Sequence, residues 1–318
     1  MTWRGSLLLP SRAELVRPGY RFRPCRETDA PAVAVIANEQ CGFRALSEDM
    51  PVRWLSRPGN DAELDFVVVD GPDGSLAGYV RIYCDPPQDE PIFMGGVAAG
   101  HQGRGLGTSL CRYAEARAAQ LTTETHDTVT LLGRAASGCS DGGLLLQSLG
   151  YTEERHLLLL QADPSEVLRR LPETTDFSIT EGRAEDGPEV YSVLSESFVD
   201  HWGTSWPTHE VWAHDAGGVW LAAWSGETVA GVLVVAPHLV EDPDSAQFVE
   251  LGVRPPWRRS GVSRALLRRG TELVLALGRQ RVGLFMDGES TTGARQLFDA
   301  LGFRTAPRFT YWSKQLRP

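Results

Sequence analysis

Two stretches of the chain carry the same order of apolar and polar positions. Leu64–Val69 is a short apolar run, Gly71-Pro72-Asp73-Gly74 is a turn, and Leu76–Ile82 is a second apolar run; this order predicts a strand hairpin. Val219–Trp224, Ser225-Gly226-Glu227 and Thr228–Val235 predict another. Ile92–Val97 predicts a further strand, and beyond it Leu106, Leu110, Ala114, Ala118 and Leu121 recur at the spacing of a helix with one buried face. In the second stretch Val262, Leu266, Val274 and Leu277 form the equivalent inward stripe.

The likeness extends beyond the hairpins. Arg26-Glu27-Thr28-Asp29-Ala30 leads into an apolar-periodic segment, and Arg183-Ala184-Glu185-Asp186-Gly187 does so again. Val97 and Gly105 recur as Val253 and Gly261 at one identical offset, and Leu149-Gly150-Tyr151 recurs as Leu301-Gly302-Phe303. Features repeated in one order point to an internal duplication. Each copy reads helix, hairpin, strand, glycine loop, helix, strand, helix, strand. The expected fold class is therefore α/β, an α+β arrangement around a mixed sheet, in two tandem domains. Asp163-Pro164 and Leu171-Pro172 punctuate the polar stretch between the copies. The expected boundaries are an N-terminal extension over 1–20, a first domain over 21–162, a linker over 163–176 and a second domain over 177–318.

Composition narrows the function classes. Of 318 residues 42% are hydrophobic and 23% charged, an ordinary globular balance. No window reaches the roughly 18 uninterrupted apolar residues of a membrane span, and the Leu7-Leu8-Leu9 run is too short for a signal-peptide core, so a cytoplasmic protein is expected. The formal net charge of −10 argues against a general nucleic-acid binder, which needs a basic face. Cys25, Cys41, Cys84, Cys111 and Cys139 are odd in number and show no C-x-x-C pairing, so they read as reduced thiols. The seven histidines show no metal-ligand spacing.

The candidate chemistry lies in the two loops after the predicted central strands. The first runs Val97-Ala98-Ala99-Gly100-His101-Gln102-Gly103-Arg104-Gly105-Leu106-Gly107-Thr108. A helix N-terminus leaves backbone N–H groups without intrahelical partners and carries the positive end of the dipole, so an anion such as a diphosphate fits there. Glycines let the backbone approach phosphate oxygens, and Arg104 adds a charge-assisted donor. No lysine is near for a Walker loop, and Leu110 breaks the G-x-G-x-x-G dinucleotide pattern. The second loop, Val253-Arg254-Pro255-Pro256-Trp257-Arg258-Arg259-Ser260-Gly261-Val262-Ser263, is more basic and poorer in glycine, with Ser263 in the place of Gly107.

These residues resemble the GNAT superfamily, the Gcn5-related N-acetyltransferases. Its signature, Gln/Arg-x-x-Gly-x-Gly/Ala between the fourth strand and the next helix, is matched by Gln102-Gly103-Arg104-Gly105-Leu106-Gly107, and by Arg258-Arg259-Ser260-Gly261-Val262-Ser263 except at the last position. The resemblance covers nearly the whole chain. It implies acetyl-CoA or another acyl-CoA bound by Val97, Ala99, Gln102, Gly103, Arg104, Gly105, Leu106, Gly107 and Thr108 in the first copy. In the second copy the corresponding set is Val253, Arg258, Arg259, Ser260, Gly261, Val262 and Ser263. It further implies transfer of the acyl group to a primary amine of a small molecule, without nucleic-acid or membrane partners. Tandem members of the family include mycothiol synthases, which acetylate a cysteinyl amino-sugar, and acetyltransferases of antibiotic pathways such as that of clavulanic acid; the arginine-for-lysine bias fits an actinobacterial setting of that kind.

The pattern departs from the family at the expected acid and base. The Tyr that often protonates the leaving thiolate is replaced by Leu146 and Phe298. Mycothiol synthases place a Glu six residues before the motif valine; here stand Pro91 and Gln247. Glu250, three residues before Val253, is the carboxylate best placed to act as base, and pairing with a neighbouring arginine is its alternative role. The first copy has Met94 at that place. His201, with Trp202, Trp206 and Trp212, falls where the family walls its acceptor pocket, and a histidine there can take an amine proton. The alternative to catalysis is an acyl-CoA-binding pseudoenzyme or sensor in which one or both domains are inactive.

Overall fold

The computed structural model describes residues 18–85, 90–122, 128–138, 140–182, 186–199, 206–290 and 292–316. Contacts divide the chain into two compact units. The first holds the described residues up to Arg155 together with those from Phe309 onward; the second spans His156–Arg308.

In chain order the first repeat forms β1 (Arg21–Pro24), α1 (Ala30–Cys41), α2 (Asp49–Leu55), β2 (Phe66–Asp70), β3 (Leu76–Tyr83), β4 (Ile92–Val97), α3 (Leu106–Thr122), β5 (Val129–Ala136), α4 (Ser140–Ser148) and β6 (Thr152–Ala162). After α5 (Pro164–Arg170) the second forms β7 (Ser178–Glu181), α6 (Gly187–Ser197), α7 (His209–Asp215), β8 (Val219–Ser225), β9 (Thr228–Ala236), β10 (Ser245–Val253), α8 (Val262–Ala276), β11 (Arg281–Asp287), α9 (Ala294–Ala300) and β12 (Arg304–Leu316).

The repeats exchange their last strands. β12 closes the first unit by pairing antiparallel with β5, from Phe309↔Ala136 to Leu316↔Val129. β6 closes the second by pairing antiparallel with β11, from Val282↔Ala162 to Asp287↔Leu157. The compact units are therefore not the consecutive blocks 21–162 and 177–318 that the repeat suggests, because each closing strand finds its hydrogen bonds outside its own repeat. The stretch 163–176 also contains a helix. Asp163 caps α5 by accepting from Ser165 N and Glu166 N, and Val167 and Leu171 sit in the second unit's core.

Within the first unit the strands run β1-β2-β3-β4-β5-β12, and within the second β6-β11-β10-β9-β8-β7. In each, one neighbouring pair is parallel, β4 with β5 and β10 with β11. Each sheet buries both faces. One face of the first packs Leu106, Leu110, Ala114 and Ala118 of α3 against Val67, Val69 and Val80, as the helical spacing predicts. The opposite face packs Val33, Ile36 and Ala37 of α1 against Phe66, Val68 and Tyr79. In the second unit α8 brings Val262, Leu266 and Val274 to the core, but Leu277 is 45% exposed, because α8 ends at Ala276 and Leu277 is its cap.

Both closing turns are built alike. Gly150 (φ +85°) and Gly302 (φ +90°) take the left-handed conformation that ends α4 and α9. Tyr151 N then donates to Leu146 O at 3.0 Å, and Phe303 N to Phe298 O at 3.1 Å. Leu146 and Phe298, at the positions of the missing acid, are buried in the two cores.

Candidate active site

The parallel strands part in both units. β4 and β5 are in register only at Ile92↔Leu132 and Phe93↔Gly133. β10 and β11 are in register from Ser245↔Arg281 to Gln247↔Gly283 and no further. Strand groups left without a neighbour in such a gap can pair with an extended ligand.

Past each gap the chain follows the same path into a helix. In the first unit a short 3-10 turn over Ala99–His101 is followed by Gly103 (φ +72°), Gly105 (φ +78°) and the start of α3. In the second, a 3-10 turn over Pro255–Trp257 is followed by Arg259 (φ +63°), Gly261 (φ +98°) and the start of α8. Arg259 is the one non-glycine residue with positive φ among the described residues. A left-handed conformation costs an L-residue about 1–2 kcal/mol, so the second loop keeps its shape against a local penalty.

The first helical bonds are Ser109 N to Gly105 O and Ala265 N to Gly261 O, each 3.1 Å. The amides of Leu106, Gly107 and Thr108, and those of Val262, Ser263 and Arg264, precede them and have no carbonyl of the helix to donate to. These amides, with the helix dipole, form the anion cradle in each unit. Gly107, Thr108 and Ser263 are partly exposed and Gly261 caps α8 without a side-chain hydrogen bond, so a diphosphate can approach.

The side chains around the cradle are partly committed. Arg104 Nη1 donates to Tyr20 Oη at 2.8 Å, and Tyr20 Oη lies 3.1 Å from His101 Nδ1, so Tyr20 at the edge of the extension belongs to the first loop's support. Gln102 Nε2 donates to Val97 O at 3.3 Å, Arg258 Nη2 to Ser197 O at 3.1 Å, and Ser260 Oγ to Trp257 O at 2.6 Å. Val97 N donates to Gln40 Oε1 at 3.3 Å, so α1 takes up one strand amide in the first gap. Gly107 has a packing reason as well: a Cβ there would lie 2.8 Å from Leu145 Cδ2.

Glu250 owes its direction to a β-bulge. The register of β10 on β9 shifts between Phe248↔Val235 and Glu250↔Val234, leaving Val249 as the extra residue. Phe248, Leu251 and Val253 pack toward α8. The inserted residue reverses the alternation, so Glu250 points to the other face and meets α7, where Trp212 Nε1 donates to its Oε2 at 3.2 Å. Among the described residues no arginine reaches Glu250. Burial pushes its carboxyl up to about 7, and the single bond from Trp212 only partly opposes that. β4 has no such bulge, and Met94 occupies the cleft-facing place in the first unit.

The first unit holds an open cleft whose wall includes Gln40, Cys41, Tyr79, Met94, Arg134 and Phe309. Arg134 was not legible as a site residue, since a single arginine in an apolar strand carries no spacing signal. Tyr311 on β12 sits opposite Arg134 in the first unit, because β12 pairs with β5. Of the aromatic wall expected in the second copy, Trp212 packs among Tyr191, His209 and Trp220, and Trp206 stacks on Phe198 at 4.7 Å. His201 and Trp202 lie outside the described residues, as does Cys139. Cys111 is buried, which pushes its thiol up to about 12 and leaves it inert as a nucleophile.

Comparison with known proteins places these features in a family. The sequence model of the acetyltransferase (GNAT) family matches residues 30–132 and again 187–303. A mycothiol acetyltransferase of Geodermatophilus obscurus is 28% identical over 309 residues, which cover 92% of this chain and 96% of the relative. One from Thermobispora bispora is 27% identical, with 91% and 96% covered. Among solved structures, a GCN5-related N-acetyltransferase from Sphaerobacter thermophilus superposes with a TM-score of 0.72 at 24% identity, covering 95% of this chain and 98% of the other. A tandem GNAT protein from the clavulanic acid biosynthesis pathway does so with a TM-score of 0.69 at 16% identity, covering 94% and 99%.

Proposed function

The chain belongs to the acetyltransferase (GNAT) family, and from that premise we propose that it transfers an acetyl group from acetyl-CoA to a primary amine of a small molecule, with the chemistry in its second unit. Acetyl-CoA supplies the activated acyl thioester. The protein's own part is to hold the diphosphate and to take a proton. The amides at the starts of α3 and α8 hold the diphosphate, with Arg104 and with Arg258 and Arg259 as the neighbouring cations.

The observation that carries the assignment is Glu250. An amine arrives largely as an ammonium ion and must lose a proton before it can attack. A carboxylate whose pKa is raised to about 7 is matched to that task, because a base works best when its pKa lies near the working pH. The bulge at Val249 turns it to the side opposite α8, where an acceptor enters without crossing the diphosphate loop. His201 is retained as a second proton acceptor in this proposal. The first unit has Met94 in place of Glu250, which supports reading it as the half that binds acyl-CoA without transferring it. A cytoplasmic place and a role in secondary metabolism belong to the same proposal; no described helix is long and apolar enough to cross a membrane.

The test is release of free thiol from acetyl-CoA in the presence of an amine panel. The names of the relatives put the cysteinyl amino-sugar acceptor of mycothiol synthesis first on it. Turnover with one of these amines, reduced about 10²–10⁴-fold by Glu250→Gln with acetyl-CoA affinity retained, is the expected result. Tight CoA binding with no thiol release for any amine supports the pseudoenzyme reading instead.

A further inference from the structure

Arg134, in the wall of the first unit's cleft, has no carboxylate partner among the described residues. Arg134 stands on β5 one residue past Gly133, the last position paired with β4. Its side chain therefore enters the point where the two strands part. It is partly buried, its guanidinium lies 4.5 Å over the Phe309 ring, and Nη2 donates to Met94 Sδ at 3.2 Å. Tyr311 accepts a further side-chain bond from it, and Tyr79 and Tyr83 are near enough to act on its charge. None of these partners is a carboxylate, and no described carboxylate forms an ion pair with it. Another arginine of the first unit, Arg57, is buried and paired with Asp85.

A guanidinium taken from water without a counter-charge is costly, and pairing in a fork with a carboxylate is how proteins usually offset that cost. Two faces of Arg134 are covered by soft, weak acceptors, the ring of Phe309 and the sulfur of Met94. Arg134 also lines the open cleft. The charge there also repels an ammonium ion, the opposite of the second unit, where Glu250 attracts one.

We propose that the first unit's cleft is a carboxylate site, in which Arg134 pairs with a carboxylate carried either on the acyl end of a CoA thioester or by a separate small acid. The thioester form rests on the reading that this unit's loop binds acyl-CoA; the free-acid form does not. The two units then divide the work by charge, one cleft selecting an anion and the other an amine.

Isothermal titration of the full chain tests this with acetyl-CoA, succinyl-CoA and free succinate as probes, on wild type, Arg134→Met and Arg134→Lys. In wild type one site per chain is expected to take succinyl-CoA at least tenfold more tightly than acetyl-CoA, or to take free succinate. Arg134→Met removes that preference while acetyl-CoA affinity stays within about threefold, and Arg134→Lys, which keeps the charge with less change in packing, retains part of it. A preference shown by the thioester alone assigns the carboxylate to the acyl chain; succinate binding that depends on Arg134 assigns it to a separate acid. Failure of every CoA thioester to bind, with succinate still held through Arg134, removes the acyl-CoA reading and leaves this site standing. Equal affinity for the two thioesters together with no heat from succinate in wild type overturns the proposal.

Discussion

Trp212 Nε1 donates to Glu250 Oε2 at 3.2 Å, tying α7 to the bulge of β10. The two influences on Glu250 oppose each other. Burial favours the neutral acid, and the indole N–H favours the carboxylate; burial is the larger, so the group titrates near 7 instead of at 4.5.

That balance fixes a pH dependence. The base is active only when ionised, so kcat/KM rises with pH and levels off above about 7. Trp212→Phe keeps most of the packing but deletes the donor that stabilises the carboxylate. The midpoint of the acidic limb then moves to higher pH. Rate profiles of the two proteins between pH 5 and 9 on the order of half-unit steps check this, with the direction of the shift as the result that matters.

The second diphosphate loop carries a penalty that can be removed. Arg259→Gly relieves the left-handed conformation at φ +63°, and the gain is partly offset by the greater freedom of glycine in the unfolded chain. A net stabilisation of up to about 1 kcal/mol in denaturant unfolding is expected. The same variant weakens CoA binding by the second unit, since it also deletes a cation at the loop. Stability and affinity moving in opposite directions is the signature of strain kept for function.

The exchanged strand makes the first unit depend on the last residues of the chain. Lys314 on β12 donates to Glu115 Oε1 at 2.7 Å and to Leu149 O at 2.8 Å, both in the first unit. Lys314→Met leaves a partly buried carboxylate and a carbonyl without their donor, at a cost of about 1–3 kcal/mol. Hydrogen exchange is expected to quicken in α3 and α4, far from the substitution in sequence.

Much of this is legible in the sequence. Local periodicity marked β2, β3, β4, β8, β9 and the buried faces of α3 and α8, because those signals depend on neighbours in sequence. The glycine loops were equally plain, since positive φ at Gly103, Gly105 and Gly261 leaves a compositional trace. Three things were not. Strand exchange leaves no local mark, as β6 and β12 have the same apolar pattern whichever sheet they join. Arg259 hides a left-handed residue behind an ordinary side chain. Arg134 and the partner of Glu250 are long-range facts: the arginine is set among residues of α1, β4 and β12, and in the sequence Trp212 is one member of an aromatic cluster with nothing to tie it to Glu250.

The central claim is that backbone amides at two helix starts hold the diphosphate of acyl-CoA. Calorimetric titration of the full chain with acetyl-CoA, in wild type, Gly105→Asp and Gly261→Asp, tests it most directly. Each substitution sets a carboxylate beside one cradle, and also forces a side chain onto a φ of +78° or +98°, so folding of both variants is confirmed by their melting temperatures. Binding is expected in wild type, with loss of the first unit's site in Gly105→Asp and loss of the second unit's site in Gly261→Asp. No heat with wild type, or unchanged affinity and stoichiometry in both folded variants, contradicts it.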